Sequence, residues 1–159
     1  MDGHTENHYN KTQLYYLMKK LFFIYIFFSG SLIYSQVWQT SYEDSVEKAQ
    51  TENKKIVLVF QGSDWCGPCI KLSKEIWSTE VFIDYSEKNY VLLQADFPRK
   101  KKNMLSETQQ KANNFLAEKY NPNGYFPFVV VLDKNGEILG RTGYKKTTPK
   151  EYINIIDSF

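Results

Sequence analysis

Cys66 and Cys69 are the only cysteines in the 159-residue chain. They lie in Trp65-Cys66-Gly67-Pro68-Cys69, where an apolar run from Lys55 to Gln61 gives way through Gly62-Ser63-Asp64 to a helix-like pattern. In that pattern Ile70, Leu72, Ile76 and Trp77 alternate with Lys71, Ser73, Lys74 and Glu75. Two cysteines at this spacing can close a small disulfide ring. At a helix start, unpaired N–H groups and the positive end of the helix dipole stabilise a thiolate. Cysteines so placed have pKa values of roughly 3.5–7.5, against about 8.5 when free. Such a thiolate attacks disulfides, and a second thiol one turn further on releases the product from the mixed disulfide. The pattern thus assigns Cys66 the attack and Cys69 the resolution.

Two plainer readings compete with exchange chemistry. A structural zinc site takes four ligands, usually two such pairs. This chain has no second cysteine pair, and its only histidines, His4 and His8, lie far upstream. A purely structural disulfide closing so small a ring removes little chain entropy and adds little stability.

Trp-Cys-Gly-Pro-Cys after an apolar strand resembles the active site of the thioredoxin superfamily, and the resemblance covers most of residues 37–159. Leu58 to Cys69, with Gly62-Ser63-Asp64-Trp65 ahead of the first cysteine, is most similar to soluble periplasmic thioredoxin-like domains. Val91-Leu92-Leu93-Gln94-Ala95-Asp96 is similar to the C-terminal domain of bacterial thiol:disulfide interchange proteins. The resemblance implies a thioredoxin-like three-layer α/β sandwich, with a central mixed sheet flanked by helices. It also implies that Pro127, at the start of a strand, follows a cis bond and faces the cysteines. The backbone of Phe126 would then pair with an extended substrate strand. The alternative is an edge-strand proline with a trans bond.

The elements that must position the motif follow from periodicity and turn chemistry. Val37-Trp38-Gln39 is expected as a short first strand, and Ser41 as the cap of a helix with Asp44 in capping-box position. That helix turns Val46 and Ala49 inward and ends at Asn53-Lys54. Residues 55–61 and 90–95 read as strands buried on both faces, paired in parallel. The motif helix runs to about Trp77, and a shorter helix follows from Ser78-Thr79-Glu80 to a turn at Asn89. Phe97 to Asn103 is a basic loop. It reads as a solvated loop, with docking of an acidic partner as the sharper alternative. The next helix spans about Met104 to Lys119, with Leu105, Ala112, Phe115 and Leu116 as its apolar side. Asn121 to Gly124 form a turn. Strands 127–132 and 138–142 pair antiparallel across the turn Asp133-Lys134-Asn135-Gly136. Pro149 opens a last helix that buries Tyr152, Ile153, Ile155 and Ile156.

The N-terminal third carries a different signal. Met18-Lys19-Lys20, eight apolar residues from Leu21 to Phe28 and a stretch ending at Ser35 read as a signal peptide. The apolar core falls well short of the ~20 residues needed to span a bilayer. Domain boundaries follow: 1–35 is an upstream extension plus signal, with Met18 as the expected start, and 36–159 is one domain. Residues 1–17 show no clear periodicity and are expected to be disordered or absent. The alternative is an uncleaved anchor, since Leu32, Ile33 and Tyr34 prolong the apolar stretch. Export places the pair in an oxidising compartment, the periplasm or beyond. A formal charge of +2 argues against a nucleic-acid partner, and a monomer is the default.

Thioredoxins usually keep a buried aspartate six residues ahead of the first cysteine, where Phe60 stands here, and a neighbouring lysine, which aligns with Leu92. Replacing both together leaves no buried charge unpaired. Asp64 is the candidate substitute in proton transfer to Cys69, or else a cap on the motif helix. The expected function is exported thiol–disulfide exchange with protein substrates, in the reducing direction suggested by Gly67-Pro68. An envelope electron donor supplies it, with no cofactor or metal beyond the dithiol. Trp65, Gly67, Pro68, Phe126 and Pro127 form the substrate groove. The rival class is a non-catalytic module that binds a peptide or a soft metal ion.

Overall fold

In the computed structural model, β2 (Lys55–Gln61) is the hub of the molecule, and its residues 56–60 are buried without a break. The structure describes residues 13–20 and 36–159. The chain divides into two units, Met1–Tyr34 and Ser35–Phe159. In the first unit, residues 13–20 are helical and exposed, which corrects the expectation of disorder for 13–17. Lys19 lies 4.8 Å over the Tyr15 ring, a neighbour four residues away on a helix. The apolar segment 21–35 lies outside the described residues. Among those described, no helix is long and apolar enough to cross a membrane.

In the second unit, β1 (Trp38–Gln39) and β3 (Tyr90–Asp96) run parallel to each other, and β3 runs parallel to β2. β4 (Phe128–Leu132) is antiparallel to β2, and β5 (Ile138–Gly143) to β4. The spatial order is β1-β3-β2-β4-β5. Five helices cover the sheet: α1 (Tyr42–Glu52), α2 (Gly67–Leu72), α3 (Glu80–Asn89), α4 (Glu107–Tyr120) and α5 (Pro149–Asp157).

Period-two alternation in β2 splits the core. Val57 and Val59 pack with Leu72, Ile76, Phe82, Tyr152 and Ile156, beneath α2, α3 and α5. Ile56, Leu58 and Phe60 pack with Ala49, Leu116 and Tyr120, beneath α1 and α4. The result is the expected α/β sandwich with a mixed central sheet.

The sequence pattern and the structure part in four places. The motif helix does not stay α-helical: Ser73–Trp77 is a π-helical turn, with Ser78 N–H donating to Ser73 O at 2.9 Å. The extra residue sends both Ile76 and Trp77 inward, while Ile70, the first apolar residue of the helical pattern, is 48% exposed. No turn separates α3 from β3, because Asn89 is the last helical residue and Tyr90 the first of the strand.

The largest difference lies in α4. It begins at Glu107, capped by Ser106, and buries Asn113, Leu116 and Tyr120. Of the expected apolar side only Leu116 is buried; Ala112 is exposed, and Phe115 is 54% exposed. The buried stripe 113-116-117-120 has helical spacing. Its first member is polar and is anchored through Asn113 Nδ2, which donates to Asp96 O at 2.8 Å.

Candidate active site

The motif occupies the end of β2, where the chain turns into α2. Cys66 N–H donates to Gly62 O at 2.9 Å, and Trp65 N–H donates to the same oxygen at 3.3 Å, so the turn is tight. Gly62 is required there: a Cβ would lie 2.3 Å from Trp65 Cε2, inside the indole ring. The next helical residues are Gly67 and Pro68, and a proline near a helix start loses no intrahelical hydrogen bond.

Cys66 is itself the N-cap of α2. Its Sγ accepts the N–H of Cys69 at 3.3 Å, and its carbonyl accepts that of Ile70 at 3.1 Å. The two sulfurs are joined in a disulfide of 2.04 Å, and both residues are buried. Once the bond is reduced, a negative charge on Cys66 would face a helix N-terminus already donating to it. Both the Cys69 N–H and the helix dipole favour the thiolate.

Asp64 is held by the basic loop. It does not cap α2, because Cys66 does. Its carboxylate accepts three hydrogen bonds from the basic loop: from Arg99 N at 3.0 Å, Lys100 N at 2.9 Å and Asn103 Nδ2 at 2.9 Å. The bond from the Arg99 backbone, aided by Asn103 and Lys100, holds the carboxyl below its ordinary range. A carboxylate so satisfied is a weak proton acceptor.

Phe60, six residues ahead of Cys66, is fully buried in the core beneath α1 and α4, and Phe97 and Phe126 pack against the same cluster. Val59 and Gln61 are the β2 residues on the motif side, and Leu92, also on that side, is buried in the same core as Val59. Gln61 Nε2 donates to Gln94 Oε1 at 3.3 Å. A surface pocket of about 310 Å³ opens beside Cys69, lined by Gln61, Ser63, Ile70, Ser73, Lys74 and Ser78. Polar side chains line the pocket together with more apolar surface, and no carboxylate is among the lining residues.

On the other side of the motif the walls are aromatic. The Phe126–Pro127 bond is cis. The Phe126 ring stands 5.6 Å from the Trp65 ring and 5.5 Å from that of Phe97. Trp65 Nε1 donates to Phe97 O at 2.7 Å, and the Arg99 guanidinium lies 3.6 Å over the indole. Ser63 N and Oγ donate to the Asp96 carboxylate at 2.8 and 2.6 Å. Phe97, Arg99, Asp96 and Gln61 were not singled out from the sequence. The position of Phe97 and Arg99 in a basic loop just after a buried strand was the one signal available.

Comparison with known proteins agrees with this geometry. Residues 37–134 match the family described as thioredoxin-like. The chain is 32% identical over 121 residues to the disulfide bond reductase DsbH of Chlamydia pneumoniae, covering 76% of this chain and 70% of that protein. It is 27% identical over 109 residues to the thioredoxin-related protein DsbJ of the same organism, covering 69% of this chain but 30% of DsbJ. The solved structure of a DsbH oxidoreductase superposes with a TM-score of 0.71 at 30% identity, over 81% of this chain and 88% of that one. With a cysteine pair at the start of α2, a cis Phe126–Pro127 bond and these relatives, the chain belongs to the thioredoxin-like family and is a thiol–disulfide oxidoreductase.

Proposed function

We propose that the protein is an exported reductase of protein disulfides. The observation that carries the reading is the cap: Cys66 Sγ already accepts the N–H of Cys69 at the start of α2. Cys66, as thiolate, attacks one sulfur of a client disulfide and displaces the other client sulfur as a thiolate. Cys69, losing its proton to water in the open pocket beside it, attacks Cys66 and releases the second client thiol. The client gains two electrons and two protons, and the protein is left with the Cys66–Cys69 disulfide. An envelope dithiol donor returns it to the reduced state by the reverse exchange. No group beyond the two sulfurs takes part.

Trp65, Gly67, Pro68, Phe126 and Pro127 form the groove in which an extended client strand lies against the Phe126 backbone. Support for the reducing direction comes from Gly67-Pro68 between the cysteines and from the reductase named among the relatives. Support for export comes from the signal-like residues 18–35. The domain from Gln36 to Phe159 would act after cleavage, as a monomer.

Equilibration of the pair against defined thiol buffers tests the direction. A potential near about −270 mV is expected, and one near about −120 mV would make the protein an oxidant. Cys66→Ser should abolish exchange. Cys69→Ser should accumulate covalent mixed disulfides with clients, and client capture without any covalent adduct would instead indicate a binding module.

A further inference from the structure

The basic loop is built into the active site. Its backbone and one side chain are held by Asp64 through three hydrogen bonds, and Phe97 O holds the Trp65 indole. Arg99 is stacked on that indole. Asp64 and Trp65 immediately precede Cys66, so the loop and the attacking sulfur form one local unit. Arg99, Lys100, Lys101 and Lys102 are all exposed. Among the described residues the ion pairs are Lys48–Glu52, Lys54–Glu52 and Lys111–Glu107, and none takes a charge from this loop. Lys71 and Lys74 on the motif segment are exposed as well.

Three carboxylates, on the motif segment and at the end of β3, accept hydrogen bonds from within the chain. Asp64 serves the loop, Asp96 accepts from Ser63, and Glu75 accepts from the Tyr144 hydroxyl at 2.7 Å. Six exposed cations, Arg99 to Lys102 with Lys71 and Lys74, thus lie on the two segments that adjoin the reactive pair. The Asp64 carboxylate answers one of these charges from inside the loop, and the exposed lysine side chains remain open to an acidic partner.

We propose that the loop Arg99–Lys102 recognises acidic segments flanking the disulfide of a client protein. The inference rests on the reductase reading above and names the class of client. Rim charges of this kind act on encounter and on salt dependence more than on the chemical step. The Debye length falls from about 30 Å at 0.01 M salt to about 10 Å at 0.1 M, so the preference should fade as salt rises.

The test is a single-turnover measurement. Protein reduced beforehand and freed of reductant is mixed with either of two peptides sharing one intramolecular disulfide, one flanked by aspartates and the other by lysines. At about 0.01 M salt the acidic peptide should react about tenfold faster or more, within the range known for electrostatic steering. The two rates should converge at high salt. Lys101→Glu with Lys102→Glu, which leaves the Asp64 bonds intact, should erase or invert the preference. Lys88→Glu with Lys134→Glu makes the same charge change at the other end of the sheet and should retain it. All variants should reduce uncharged 2-hydroxyethyl disulfide equally.

Equal rates for the two peptides with the native protein would overturn the proposal, as would loss of the preference in the distant variant. So would a loop variant that loses only its binding to phosphatidylglycerol vesicles, since the cations would then serve a membrane surface. Failure to reduce even 2-hydroxyethyl disulfide would remove the reductase reading along with it.

Discussion

On the face of the sheet beneath the motif helix, β2 carries Val57, Val59 and then Gln61; on the opposite face it carries Ile56, Leu58 and then Phe60. The two faces are equally apolar through the middle of the strand and diverge only at its end. Beneath α2 the core gives way to the hydrogen-bonded pair Gln61 and Gln94 and to the open pocket beside Cys69. On the other face it continues as aromatic rings, from Phe60 against Phe128 at 6.4 Å to Phe126 between Phe97 and Trp65. The division suits two tasks. A buried thiol that must lose a proton needs polar neighbours and access to water. A groove that holds an extended chain needs rigid apolar walls.

The sharpest way to break this comparison is at Phe60. If its ring set the surroundings of Cys69, replacing it would alter the chemistry there. Because it is fully buried in the core beneath α1 and α4, Phe60→Ala should cost about 3–5 kcal/mol in stability. The pH profile of thiol exchange in the fraction that remains folded should not move. Urea unfolding and a pH–rate profile on the same variant separate the two cases. A mild variant with a displaced profile would place Phe60 at the sulfur after all.

A smaller effect is expected at Asn113, the polar residue buried within the otherwise apolar side. Its Nδ2 donates to Asp96 O, and its Oδ1 accepts from Gln109 Nε2 at 2.9 Å. Asn113→Leu leaves the Asp96 carbonyl without this donor and should cost about 1–3 kcal/mol. Because Asp96 also holds Ser63, amide exchange in residues 62–66 should rise with the loss. If leucine proved neutral, the site would be indifferent to polarity and the stripe on α4 simply apolar.

The smallest effect is at Asp64, and its sign can be worked out. Its carboxyl is held below the ordinary value of 3.8, chiefly by the Arg99 N–H. A depressed carboxylate adds stability that is fully present above the unfolded value and is lost as pH falls through the folded one. The native protein should therefore melt slightly above Asp64→Asn at neutral pH, and the difference should close as pH drops below 3.8. A gap that persists in acid would show that the carboxylate charge is not what holds the loop.

The chemistry and the fold class were legible in the sequence because their signals are local. Two cysteines two residues apart at the end of an apolar run can be read within a few positions. The bounds of β2, the turn at Asp133 to Gly136 and the helix opened by Pro149 follow equally from neighbouring residues. Face assignment was less secure where periodicity misled. In α4 a polar Asn113 hid the buried stripe, and in α2 a π turn that no local pattern announces changed the phase.

What only the tertiary structure decided is what the residues around Cys66 touch. Asp64 reaches Arg99, Lys100 and Asn103; Trp65 reaches Phe97; Ser63 reaches Asp96. Each partner lies more than thirty positions away, beyond a helix pair and a strand. They meet because parallel pairing of β2 with β3 sets Gln61 opposite Asp96, so the chain leaving each strand emerges at the same end of the sheet. Sequence spacing determines which sulfur can attack; strand register determines what surrounds it, because only register carries distant segments to one edge.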